Sequence, residues 1–128
     1  MVAAALSRLQ ADPGAFDAVL AAHGDTEALR PLLQALLQTR RAVHDAQADA
    51  ARVADVLRRD QKFAPAGRPS LHLVQLRQQQ ARTQQAARVA GQAHARAAQD
   101  FARAMNLALG ERRTPTMAAA RWLEKTAR

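Results

Sequence analysis

Apolar residues return every three or four positions along most of this chain, and that spacing reads as helix in four successive stretches before a fifth closes the sequence. Leu6 and Leu9 share one side of a short segment from Val2 to Gln10. Phe16, Val19 and Leu20 form the apolar side of a second, with Asp12-Pro13 as N-cap and first-turn proline and His23-Gly24 as its stop after about Ala22. Asp25 or Thr26 then caps a long helix running to about Gln61. Pro31 sits roughly a turn inside it, predicting a kink or a regular start near Leu29. The run Phe63-Ala-Pro-Ala-Gly-Arg-Pro69 is the strong break. Ser70 caps the next helix, which runs to about Leu109 and stops at Gly110. Thr114-Pro115 repeats the cap-then-proline pattern and opens a last helix to about Thr126. β-branched residues are few and no alternation persists, so no strand is expected.

The two long helices carry a heptad. With Leu29 at position a, Leu36, Val43, Ala50 and Leu57 follow at a, while Leu32, Thr39, Ala46 and Val53 fall at d. In the second helix Leu73, Gln80, Ala87, His94, Phe101 and Ala108 fall at a; Leu76, Thr83, Ala90, Ala97 and Ala104 fall at d. Gln78, Gln85, Gln92 and Gln99 recur on the outer f position. A short connection makes the two helices antiparallel neighbours. A turn centred near Pro65-Ala66 sets residue i against roughly residue 131 − i. Phe101 then meets Leu29, Arg30 and Leu33, and Leu73 and Leu76 meet Val53 and Leu57. Between them, Ala46 and Ala50 face Ala81, Thr83, Ala86 and Ala87, and such small residues allow a close approach.

The expected fold is therefore all-α: a long antiparallel, coiled-coil-like helical hairpin with short flanking helices. It forms one domain over 1–128, with short N-terminal helices in 1–24, the hairpin in 25–110 around a loop at 62–70, and a C-terminal helix in 111–128. A helix of about 36 residues is ~54 Å long, whereas a compact globule of this length has a radius of gyration near ~14 Å. The hairpin is expected to be a rod. An Ala-rich seam buries little apolar area, so the bundle is expected to be completed by its own termini, by self-association or by a larger assembly.

Charge adds what periodicity cannot. The 128 residues carry a formal net charge of +8, and the excess is one-sided. Up to Lys62 there are eight basic and eight acidic residues; from Phe63 onward there are eleven basic residues against Asp100, Glu111 and Glu124. A codon preference for Arg and Ala accounts for Arg over Lys, but not for the loss of acids from one half. Such asymmetry points to a partner of opposite sign.

On the second long helix Arg77, Arg82, Arg88, Arg96 and Arg103 fall in one arc nearly opposite the apolar seam. They cover ~39 Å of helix axis, and Asp100 is the single acid on that helix. The first long helix differs: Arg41 and Asp45, Asp49 and Arg52, and Asp55 and Arg59 are spaced as ordinary surface ion pairs. The uncompensated stripe, assisted by Arg68, Arg112 and Arg113, is expected to follow a nucleic-acid backbone, RNA or DNA, without reading sequence. The alternatives are an adaptor or stalk whose basic face meets an acidic protein, and a solvated face with no ligand. A membrane surface fits poorly, because the opposite face is mostly Ala rather than bulky Trp, Phe or Leu.

Other chemistry is sparse. The chain has no Cys, which removes disulfides, thiolate metal sites and thiol catalysis. His23, His44, His72 and His94 never stand three or four apart, so no metal or cofactor is expected. His94 falls in the seam, and His23 favours a helix C-terminus. No nucleophile elbow, Gly-rich phosphate loop or paired carboxylates beside a His suggests an enzyme. Asp45 and Asp49 lie near His44, but they alternate with Arg as surface. Trp122 either stacks on a base or, with Met117 and Leu123, docks the last helix. Phe63 either anchors a partner or closes the hairpin tip. No apolar run approaches the ~18 residues of a membrane helix, and Val2 to Gln10 lacks the features of a secretory signal, so a cytoplasmic location is expected.

Overall fold

A computed structural model describes residues 2–63, 70–107 and 113–126. Five helices follow in order: α1 (Val2–Ala11), α2 (Asp17–Ala21), α3 (Thr26–Lys62), α4 (Leu71–Ala104) and α5 (Pro115–Thr126). No strand occurs among the described residues. The long α3 packs against α4 as a hairpin, and the short helices flank it. The expected centre of the turn, Arg68, Ala108, Gly110 and Arg112 lie outside the described residues.

Local chemistry sets most boundaries. Ser70 Oγ accepts a hydrogen bond from the backbone N–H of Leu73 at 3.2 Å, and Thr114 Oγ1 accepts one from Met117 at 3.2 Å. Each satisfies an orphan donor at a helix start. Asp25 Oδ1 accepts from the N–H of Glu27, and its carbonyl accepts the N–H of Leu29. The helix then passes through Pro31 without interruption, so it starts at Thr26 and not near Leu29 as one expectation had it. Pro31 and Glu27, whose carbonyl loses its intrahelical donor there, are both exposed.

Two further boundaries differ from the sequence expectation. Asp12 caps a turn, not a helix: its side chain accepts the N–H of Gly14 and its carbonyl that of Ala15. Asp17 N–H bonds the Gly14 carbonyl three residues back, as a turn does, and the regular helix starts only at Asp17. The second difference is the end of α4, five residues before Leu109. Leu107 N–H bonds the carbonyl of Ala102 at 3.0 Å, Asn106 N–H bonds that of Arg103 at 3.1 Å, and Asn106 takes φ of 52°. These are the two bonds of a Schellman motif with Asn in the left-handed position.

Contacts divide the chain into two compact units, Met1–Arg41 with Gln92–Arg128, and Ala42–Gly91. The first holds the main core. Leu20, Leu33, Leu36 and Phe101 are fully buried there, with Leu6, Leu9, Phe16, Leu29, Leu37, Ala98, Met105, Ala119 and Leu123 around them. Phe101 thus shares a cluster with Leu29 and Leu33, as the register requires. Arg30 and Asp17 tie α3 to α2 through a two-pronged ion pair, with Arg30 Nε donating to Asp17 Oδ1 at 2.8 Å. That hydrogen-bonded guanidinium holds the Asp17 carboxyl below its ordinary value.

Here the strict heptad gives way. Ala98, Phe101, Ala102 and Met105 are buried while Ala104, a d position, is exposed. In α3, Leu33 and Leu37 are buried more deeply than the d residue Leu32. A straight helix drifts ~20° per heptad against a 3.5-residue repeat, and the flanking helices cover the face it turns toward them.

In the second unit Leu57, Leu73 and Leu76 form a small cluster with Val56 against it, and Val53 is also buried. Its other seam residues, Val43, Ala46, Ala50, Thr83, Ala87 and Ala90, are only half-buried. Asp60 and His72 Nε2 meet at 2.6 Å near the hairpin tip. The pairs Asp60–His72 and Thr39–His94 place the register one or two residues beyond the simple 131 − i rule.

Candidate functional site

Arg77, Arg82, Arg88, Arg96 and Arg103 are all exposed on α4. Arg77, Arg82 and Arg88 belong to the 42–91 unit, Arg96 and Arg103 to the other. Seam positions 73, 76, 80, 83, 87, 90, 94, 97 and 101 on the same helix are buried or half-buried, so the basic residues occupy its outer side. None of the five forms an ion pair among the described residues. Arg88 is held by Gln85, whose Oε1 accepts from Nε at 3.1 Å and Nη2 at 2.7 Å. Gln85 fixes the guanidinium without neutralising it.

The contrast with α3 is electrostatic. Arg52 pairs with Asp49 and Arg58 with Asp55, three residues apart on one exposed face. Asp55 was expected to take Arg59; it takes Arg58 instead. Exposed pairs of this kind add little stability, but they cancel charge locally. Nothing comparable offsets the α4 cations among the described residues.

Of the assisting residues, Arg113 is exposed just before α5. Arg68 and Arg112 lie outside the described residues. Phe63 is 79% exposed, with the Lys62 ammonium 5.8 Å from its ring centroid, so among the described residues it presents an accessible aromatic face.

His94 sits at the seam with Nδ1 3.0 Å from Thr39 Oγ1. Burial, reinforced by the charge of Arg40, pushes its pKa below the ordinary value. Arg40 Nη1 is buried and has no hydrogen-bond partner among the described residues. His23 Nδ1 lies 3.1 Å from the Met105 carbonyl, so it serves the C-terminus of α4 as well as closing α2. Among the described residues no three His, Asp or Glu side chains converge as a metal site would require.

The sequence singled out Trp122 and Arg113 but did not predict the cleft that they share beside α5. Ala118, Arg121, Trp122 and Lys125 line a cleft of about 180 Å³ with Leu107 and Arg113. Trp122 also meets Phe101 edge to face, centroids 5.1 Å apart, and Leu123 is buried. Trp122 and Leu123 therefore dock α5, whereas Met117, expected to help, is 55% exposed. The signal available in the sequence was Arg121 and Lys125 at i and i+4 around the single Trp.

No family model matches this chain, and no curated protein or solved structure is significantly similar to it. Among the described residues no helix is long and apolar enough to cross a membrane.

Proposed function

We propose that this protein is a non-catalytic helical assembly subunit whose α4 face neutralises a nucleic-acid backbone without reading sequence, within a larger nucleoprotein complex. One observation carries the reading: five exposed Arg on the outer side of α4, none of them ion-paired among the described residues, beside an α3 whose exposed Arg52 and Arg58 are paired. Guanidinium groups are the side chains best suited to phosphate oxygens. The exposed Gln78, Gln85, Gln92 and Gln99 on the same helix supply hydrogen bonds that do not select a base.

The first test is the absorbance ratio at about 260 and about 280 nm of protein purified at low salt, before and after a wash in about 1 M salt, where screening is nearly complete. A high ratio that the wash lowers supports backbone binding. The direct test is Arg82→Glu with Arg96→Glu. Affinity is expected to fall uniformly across sequences, and the slope of log affinity against log salt to flatten by about one for each phosphate no longer neutralised. Unchanged affinity in the variant removes the stripe as the site. A clean ratio at low salt turns the reading to an acidic protein partner for the same face.

A further inference from the structure

The cleft beside α5 has a chemistry of its own. Ala118, Arg121, Trp122 and Lys125 follow one another at i, i+3, i+4 and i+7, so they form one face of the helix. Leu107 and Arg113 supply the rest of the lining. Arg113, Arg121 and Lys125 are exposed, and none is ion-paired among the described residues. Glu124, the one described acid of this helix, is exposed, forms no ion pair among the described residues and does not line the cleft. The C-terminal end of the helix dipole favours Lys125. It does not favour Arg113, which stands before the N-terminus, so the dipole does not account for three cations at one cleft.

Trp122 completes the arrangement. It is half-buried: its contact with Phe101 fixes the ring on the core, and the remainder of the side chain lines the cleft. A rigid indole flanked by cations accepts a flat apolar group that carries a phosphate. At about 180 Å³ the cleft is too small for an enclosed cofactor. The cleft is open, so a base can lie in it while its phosphate meets the cations at the rim and the rest of the strand stays outside.

We infer that this cleft holds an unpaired nucleotide of a single-stranded nucleic acid, with the base against Trp122 and the phosphate among Arg113, Arg121 and Lys125. The inference rests on the nucleic-acid reading of α4 and narrows it. A duplex offers its backbone to the α4 arginines, but its base faces are already stacked. Only an unpaired base has a face for the indole. The preference for single strands therefore belongs to the cleft, and sequence-tolerant attraction to phosphate belongs to α4.

Trp122 is the single Trp of a chain with no Tyr, so tryptophan fluorescence reports on this site alone. The whole protein is titrated with a short oligothymidylate and, separately, with a duplex of the same length. Fluorescence is read in parallel with the anisotropy of an end-labelled strand. The expected result is saturable quenching by the single strand and none by the duplex. Arg121→Glu with Lys125→Glu should abolish the quenching, with helicity unchanged, and weaken single-strand binding roughly tenfold, within the range for removal of one stacked base. Quenching that persists in Arg82→Glu with Arg96→Glu also supports the cleft as a separate site. A strand that binds by anisotropy with Trp122 fluorescence unchanged overturns the cleft and leaves the α4 reading intact. Equal quenching by the duplex overturns the unpaired base. No binding of either nucleic acid overturns both readings.

Discussion

The hydroxyl of Thr39 links its own helix to His94 across the hairpin. Its Oγ1 lies 2.8 Å from the Ala35 carbonyl and 3.1 Å from that of Leu36, and 3.0 Å from His94 Nδ1. A hydroxyl has one proton, and the close Ala35 carbonyl can only accept. Thr39 therefore donates along α3 and accepts from Nδ1–H of the imidazole. The ring nitrogen left over is the one that titrates. Thr39 does not resist its protonation; burial does, together with the charge of Arg40.

From that follows a pH dependence with a definite sign. The folded-state pKa of His94 is depressed by burial first and by Arg40 second. Its contribution to stability is complete above the unfolded value of ~6.5 and is lost as pH falls through that value toward the folded one. The melting temperature is expected to drop between about pH 7.5 and about pH 5. His94→Leu should flatten the drop, and Arg40→Gln should reduce it. An equal drop in wild type and His94→Leu would assign the effect to other groups.

Core truncation should separate the two units. Leu33 is fully buried beside Phe101 in the larger core. Leu33→Ala is expected to cost about 2–5 kcal/mol. Val43, half-buried in the other unit, leaves a smaller cavity, and Val43→Ala should cost about 1 kcal/mol. Urea midpoints at constant m-value decide the comparison; equal losses would mean that the half-buried seam is as tightly packed as the core.

Asn106 ends α4 at φ of 52°. Asn tolerates that region because its short polar side chain bonds locally, and Gly because it has no Cβ. Asn106→Ala is expected to cost about 1 kcal/mol, and Asn106→Gly to match or exceed wild type. Thermal melts of the two variants provide the check, and an Ala variant as stable as the Gly one would mean that the cap is not formed in solution.

What the sequence made legible was local. Ser70 and Thr114 cap because a hydroxyl before a helical run has a nearby N–H to bond, whatever the rest of the chain does. The seam could be read because Leu29, Leu57, Leu73 and Phe101 have nowhere else to go. The end of α4 was misplaced because Gly110 is the obvious left-handed residue, while Asn106, followed by apolar Leu107, carries the same information less loudly. The strict heptad failed where α1, α2 and α5 meet the hairpin, since flanking helices widen the face that each long helix can bury. The Arg stripe was visible because charged residues on an amphipathic helix turn outward. The cleft was not, because Arg113 meets Arg121 and Lys125 only once Trp122 and Leu123 have docked α5 on the core.

Hydrogen exchange should expose the weaker half of the seam. In the 42–91 unit burial among the described residues is confined to Val53, Leu57, Leu73 and Leu76, none of them fully buried. Ala46, Ala50, Ala87 and Ala90 occupy seam positions but remain half-buried, because alanine offers little area and none of the described flanking helices lies in this unit. Local opening is cheapest where buried apolar contact is least. Amides of residues 44–52 and 80–90 are therefore expected to exchange well before those of 33–37 and 98–102. A ligand that binds the folded helix stabilises it by mass action. If nucleic acid engages α4, adding it should slow exchange around Arg82 and Arg88 more than around Leu33. Uniform protection without ligand would mean that the Ala-rich seam is as stable as the core, and unchanged exchange with saturating ligand would move the contact away from these arginines.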